Sequence, residues 1–344
     1  MSRSGLPTQI HTAKFDPPNM QATDVLIIGA GISGLLCATE LRRAGISVRV
    51  LDKGRGLGGR MATRRMAGGR LDHGAQFFTV RDARLQAYVD QWLEAGVIQE
   101  WFRHLPEDSN PEGYPRYCGV HGMTDAPKYL ATELDVQTSQ QVIELSKGTD
   151  LWLVRTASGD SFLGRHLVIT APLPQALNLL DMTGLRYANG QTDALREVRY
   201  ERGLATLAIL DGPSGIESPG GMKIHEAPLT WIGDNQQKGI SPDVSAVTLH
   251  ATPGFADEHW DSPNEVRGAL MLEAAAPLIQ AKVLEYTCHR WGFTKPINPW
   301  GEPYYQNAGL KLTLAGDSFG GQRVEGAALS GIEAAGAVLA LSSH

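Results

Sequence analysis

Six residues, Gly29-Ala30-Gly31-Ile32-Ser33-Gly34, carry the first recognisable chemistry in this chain. Glycines at this spacing leave the peptide bare, so backbone N–H groups can approach a diphosphate. Gly29 permits a tight turn, Gly31 the approach to the phosphates, and Gly34 close packing of the next helix on the preceding strand. Ser33 belongs to the same turn. Asp52 lies 23 residues after Gly29, where an acid binds the ribose hydroxyls of an adenosine. Other chemistries find less support. The histidines are scattered, with no acidic companion at helical intervals, so no metal-ligand spacing is evident. No G-x-S-x-G elbow is present, which argues against a hydrolase.

The turn needs a strand before it and a helix after it. Residues 25–28 are a short apolar run suited to a buried parallel strand. Leu35, Leu36, Ala38, Leu41 and Ala44 line a helix that Gly45 stops, and residues 48–51 form the next strand, ending at Asp52. This strand–turn–helix–strand unit is the context that a dinucleotide-binding motif requires. Farther on, residues 85–101 read as an amphipathic helix, with Leu85, Val89, Trp92 and Leu93 on one face. Residues 152–156 and 167–170 flank a turn at Ser158-Gly159-Asp160. Residues 204–210 and 246–250 read as strands of a second sheet, and 262–281 as a helix. Residues 312–317 form a buried strand ending in an acid, before a small-residue helix over 327–341.

A chain of 344 residues suits two domains better than one. Its 39 glycines fall in short runs, which favours tight turns and ligand contacts over a repeat architecture. The net charge of −6 gives no general attraction to nucleic acid or to an anionic membrane. Residues 42–70, however, hold nine Arg or Lys against the single acid Asp52. That run reads either as a solvated face or as a phosphate-attracting rim. Three widely spaced cysteines suggest no disulfide framework, so a reducing cytoplasm is expected. Residues 1–20 lack the apolar region of a secretory signal and read as a loose extension, with Met20 a candidate start. No uninterrupted run of 18 apolar residues occurs, so no membrane span is expected.

Residues 52–61, DKGRGLGGRM, resemble a signature of the flavin amine oxidase superfamily, and residues 71–78, LDHGAQFF, resemble its adjoining segment beside the flavin. A narrower resemblance, to bacterial renalase-like proteins, runs through DKGRGLGGRMATRR, residues 229–239 and 248–253, and the C-terminal GDSFGGQRVEGA. Together these segments reach from about residue 23 to 340. The resemblance implies an α/β fold: a Rossmann-like, GR2-type FAD-binding domain with an inserted mixed-sheet substrate domain. The first is expected over 21–85, 140–175 and 285–344, and the second over 86–139 and 176–284. Besides the glycine turn and Asp52, it implies FAD contacts from Lys53, Gly59, Arg60, Met61, Gly74, Ala75, Gln76, Val142 and Ala171. Asp317, Gly321, Val324 and Glu325 would close the cofactor site. Superfamily members with covalent flavin carry a cysteine just before that last motif. Residues 302–307 contain none, so non-covalent FAD is expected.

Characterised renalases oxidise misformed dihydro isomers of NAD(P)H, with O2 as acceptor and H2O2 as product. The resemblance therefore implies a small-molecule, nicotinamide-type substrate and molecular oxygen as partners. His250, Trp231, Asn235, Gln76 and His73 are the candidate substrate residues. Trp231 would stack on a planar ring, His250 would hydrogen-bond or move a proton, and Asn235 and Gln76 would orient an amide. Trp291 and Lys295 form a second candidate wall. Amine or other small-molecule oxidation, and flavin binding without catalysis, stand as alternatives. The amine reading is weakened by Tyr304 and Tyr305, whose adjacency on an extended strand turns their rings opposite ways, unlike a two-tyrosine cage.

Overall fold

The apolar run Thr23–Ile28 becomes a central strand of an eight-stranded sheet in the computed structural model, which describes residues 20–105, 113–185 and 192–342. Apart from Met20, the extension expected over 1–20 lies outside the described residues. The central strand pairs in parallel with Val48–Leu51 on one side and Ser161–Ile169 on the other. Leu312–Leu314 and Asp135–Gln137 extend the parallel set outward. Strand residues alternate between two cores, as period-two geometry requires. Val25, Ile27, Val50 and Val168 pack on one face, and Leu26, Ile28, Leu51, Leu167 and Ile169 on the other. Burial on both faces explains why these strands read as continuous apolar runs.

The helix Ile32–Arg43 starts directly from the glycine turn and ends on Arg42 and Arg43, whose charge complements its C-terminal dipole. The helix Val324–Ser342 is long and apolar enough to cross a membrane by composition. Here it is a core helix. A Cβ at Gly331 would stand 2.1 Å from the carbonyl oxygen of Ser33, so glycine lets the two helices meet backbone to backbone.

A second, five-stranded antiparallel sheet runs Gly221–Lys223, Leu229–Asp234, Ala246–Ala251, Tyr200–Leu210, Val283–Pro296. Leu204, Ala208 and Leu210 pack towards the helix Asn264–Ala275 through Met271 and Ala275. Leu207 and Ile209 face the other way, onto Met66 and Leu71 of the hairpin formed by Thr63–Met66 and Gly69–Asp72. On that same face Trp231, His250, Ala205 and His289 form one cross-strand row.

Three expectations change. Residues 135–137 pair with Val48–Leu51 and so belong to the first sheet, outside the substrate domain expected over 86–139. Val283–Pro296 belongs entirely to the second sheet, so a boundary at 285 cuts through a strand. The helix expected over 85–101 spans only Ala83–Glu94. Gly96, at φ +65°, turns the chain, and Ile98–Phe102 pairs with Arg116–Gly119 instead.

Candidate functional site

Between the two sheets lies a cavity of about 2440 Å³, lined at one end by Gly29, Gly31, Ile32 and Ser33. Gly29 has φ +115°, a backbone conformation that an L side chain rarely adopts, and a Cβ there would meet Thr170 Oγ1 at 2.5 Å. A Cβ at Gly31 would meet nothing within 4 Å, because that position faces open cavity. Gly34 is turned inward: its Cβ would strike the Gly29 carbonyl oxygen at 1.9 Å. It serves helix packing rather than the ligand surface. The Ile32–Arg43 helix has no side-chain cap, so it presents unpaired N–H groups at its N-terminus. Ser33 Oγ is buried there without a hydrogen-bond partner. An orphaned hydroxyl, bare glycines and a helix N-terminus together fit the diphosphate of FAD.

The loop carrying the second glycine run lies against the first turn, with Gly58 N–H donating to the Ala30 carbonyl at 2.9 Å. Asp52 accepts from Ala30 N–H and Gly54 N–H, each at 2.6 Å, one on each carboxylate oxygen. Each oxygen keeps a further lone pair for a ribose hydroxyl. Lys53, Gly59, Met61, Gly74, Ala75, Val142, Ala171 and Val324 also line the cavity.

Arg60 and Asp317, expected as separate ligands of the cofactor chain, hold each other in a two-pronged pair of 2.5 and 2.8 Å. Tyr200 joins them, donating its hydroxyl to Asp317 Oδ1 at 2.9 Å. Burial, followed by the charge of Asp317, holds the Tyr200 phenol well above its ordinary range, so it stays a donor. Both charged residues line the cavity, and the pair therefore presents a preset edge to the ligand. Glu325 and Gly321 are not part of the lining. Glu325 accepts the N–H groups of Arg81 and Asp82, at 2.6 and 2.8 Å, and so fixes the entry to the Ala83–Glu94 helix. Gly321, at φ +109°, makes the turn between Asp317–Gly320 and the long helix.

The second sheet supplies a ring-bearing wall. The His73 imidazole stacks on Trp291 at 5.2 Å and 24°, and meets His289 edge-on at 4.9 Å. Burial pushes His73 down to about 3, helped by the charges of His289 and Arg64. Burial likewise takes His250 down to about 4 and lowers His289, with Arg64 adding to the latter. All three imidazoles are therefore neutral near pH 7. His289 lies on the same strand as Trp291 and Phe293, which also line the cavity, and its ring meets those of His73 and Trp291.

Gln76, Asn235 and Trp231 do not reach the cavity lining. The Gln76 amide donates to the Asp72 carbonyl at 2.7 Å and lies 3.5 Å from His250 Nε2. Asn235 donates to Thr248 Oγ1 at 3.0 Å and accepts the Asp72 N–H at 3.3 Å. Both hold the floor beneath the histidines, and the buried Gln76 Oε1 is left without a hydrogen-bond partner there. Trp231 is buried among Phe77, Phe102 and Trp101. Beneath them runs an ion pair that sequence reasoning missed: Lys238 Nζ and Asp72 Oδ2 at 2.6 Å, with side-chain exposures of 1% and 0%. Tyr304 and Tyr305 pack into separate cores and neither lines the cavity, so no two-tyrosine cage forms.

Comparison with known proteins agrees with this geometry. Residues 27–92 match the model of the NAD(P)-binding Rossmann-like domain, and residues 107–339 match that of flavin-containing amine oxidoreductase. Mouse (Mus musculus) renalase is 23% identical over 317 residues, covering 86% of this chain and 92% of the relative. The structure of cyclohexylamine oxidase from Brevibacterium oxydans IH-35A superposes with a TM-score of 0.68 at 14% identity, covering 94% of this chain and 100% of that one. Putrescine oxidase bound to putrescine gives a TM-score of 0.68 at 15% identity, covering 93% and 100%. At these identities the two structures speak for the fold alone.

Proposed function

The chain belongs to the flavin-containing amine oxidoreductase family and is an FAD-dependent oxidoreductase, and from that premise we propose that it oxidises dihydro isomers of NAD or NADP, with molecular oxygen as electron acceptor. When bound, FAD supplies a hydride acceptor at N5 and passes the electrons to oxygen. One dihydro dinucleotide, one O2 and one proton give one oxidised dinucleotide and one H2O2.

The observation that carries this reading is the wall of His73, His289 and Trp291, made of flat, uncharged rings. Such a wall can hold a planar dihydropyridine in register for transfer, which is the main task in hydride chemistry. Loss of a hydride from a neutral dihydropyridine leaves a pyridinium and calls for no base, so neutral imidazoles suffice. A protonated amine, in contrast, must first lose a proton. The acids lining this side are already engaged, Glu201 with Lys295 at 3.4 Å and Asp317 with Arg60. The similarity to a renalase supports the same substrate class.

The test is anaerobic rapid mixing of the FAD-loaded protein with the 2- and 6-dihydro isomers of NAD and NADP, followed through flavin absorbance. Bleaching by at least one isomer, faster than by putrescine or cyclohexylamine, is the expected result. No bleaching by any of them removes this substrate class.

A further inference from the structure

We propose that Arg64 is a specificity-determining residue, whose guanidinium receives a phosphate of the substrate beside the His73–His289–Trp291 wall. The proposal rests on the substrate class argued above and adds what in that substrate is read.

Arg64 lies on the strand Thr63–Met66, opposite Leu71 of the partner strand, and its exposed side chain lines the cavity. Two residues before it, the Ala62 carbonyl accepts the His73 N–H at 3.1 Å across the same hairpin, so Arg64 stands beside the ring wall, and its charge helps to lower His73 and His289. Several other cations around this wall are already held, while Arg65, next on the same strand, also lines the cavity and stands opposite Arg70 on the partner strand. Arg60 is paired with Asp317, and Lys295 with Glu201. Arg290 donates to the Trp260 carbonyl at 3.0 Å and lies 3.9 Å from Asp261, while Arg202 lies 3.9 Å from Asp257. Arg64 has no carboxylate or hydrogen-bond partner among the described residues.

A guanidinium left open in a cavity is a ready two-pronged site for a phosphate. The same charge opposes a second cation, so Arg64 would reject an amine for the reason it accepts a dinucleotide. Neutral rings beside it then take the uncharged dihydropyridine. The two neighbouring surfaces match the two ends of one nicotinamide nucleotide unit.

The experiment compares 6-dihydro-NAD with the 6-dihydro form of nicotinamide riboside, which carries the same ring and no phosphate. The readout is the concentration giving half the maximal rate of anaerobic flavin bleaching by the FAD-loaded protein. Wild type is expected to favour the dinucleotide, increasingly so at low salt. Arg64→Ala should raise the half-saturating dinucleotide concentration about tenfold, against a markedly smaller change for the riboside. Arg64→Lys should recover part of the loss and part of the salt dependence. Equal changes for both substrates, or none for either, overturn the role of Arg64 while leaving the substrate class standing. Failure of wild type to bleach with these compounds and with the 2-dihydro and NADP isomers as well removes the substrate class, and this assignment with it.

Discussion

Trp291 donates its indole N–H to the carbonyl oxygen of His73 at 2.8 Å while its ring lies stacked against the imidazole of the same residue. One side chain of the second sheet thus fixes both the backbone and the ring of the segment beside the flavin domain. The two substitutions at this position separate those roles. Trp291→Phe keeps a flat ring and loses the donor, which should cost about 1 kcal/mol in chemical denaturation. Trp291→Ala also removes the ring and should raise the half-saturating concentration of a dihydro dinucleotide about fivefold. Unchanged saturation in the alanine variant would mean that the substrate does not use this wall.

The depressed histidines make stability acid-sensitive. His73 is held at about 3 and His250 at about 4, chiefly by burial, against an ordinary value of 6.5. Above pH 6.5 both rings are neutral in folded and unfolded chains, and they add no pH dependence. Below it the unfolded chain takes up protons that the folded one refuses. Stability then falls by up to about 1.4 kcal/mol per pH unit for the buried His73, levelling off below its folded value. Urea denaturation between about pH 8 and 5 should show this decline, and His73→Asn should make it shallower. The rate of flavin bleaching should show no histidine break between about pH 6 and 8. A break near 6.5 that His73→Asn abolishes would contradict a neutral imidazole there.

Asp317 neutralises Arg60 at the cavity edge, and its own side chain is nearly closed to solvent. Asp317→Ala leaves that guanidinium without a partner and removes the preset edge that FAD would meet. Because solvent reaches Arg60, the stability loss should be about 1–3 kcal/mol, less than for a fully buried pair. The flavin-to-protein absorbance ratio after purification should drop, and the FAD dissociation constant should rise about tenfold or more. Asp317→Asn, which keeps the shape and accepts one hydrogen bond, should fall between. A fully flavinated alanine variant would place the cofactor away from this pair.

Local chemistry is legible in the sequence and distant pairing is not. Gly29, Gly31, Ser33 and Asp52 are linked by short-range rules of turn, helix and strand, so their spacing alone places them together. Arg60 and Asp317 each belong to a recognisable motif, yet nothing in either motif says that they bind each other across 257 positions. Trp231 and Trp291 show the limit most sharply. Both stand on strands of one sheet, and only the packing of that sheet decides which ring reaches the cavity and which is buried against Phe77. Glu325 follows a motif that resembles a flavin contact, but its carboxylate is taken by two backbone N–H groups at a helix start. The boundary at 285 fails for a related reason, since a 14-residue strand leaves no mark on composition to say which sheet it joins.

The Lys238–Asp72 pair gives the most demanding stability prediction. Beyond its partner, Lys238 donates to the Gln76 carbonyl and sits 4.9 Å over the Trp101 ring. Asp72 in turn accepts from Thr63 Oγ1 at 2.5 Å and from Met123 N–H at 2.9 Å. Removing one member strands the other charge in a site that water does not reach. Lys238→Met should therefore destabilise the protein by about 3–5 kcal/mol, as should Asp72→Asn through the stranded ammonium. The double variant loses both charges together and keeps the hydrogen-bonding capacity of an amide in place of the carboxylate. It should be clearly more stable than the sum of the single losses, with a coupling of about 1–3 kcal/mol. Denaturation of all four proteins measures that coupling directly. Losses that simply add would mean that the two charges are stabilised independently, each by its own hydrogen bonds, and that the ion pair does not hold the floor of the site together.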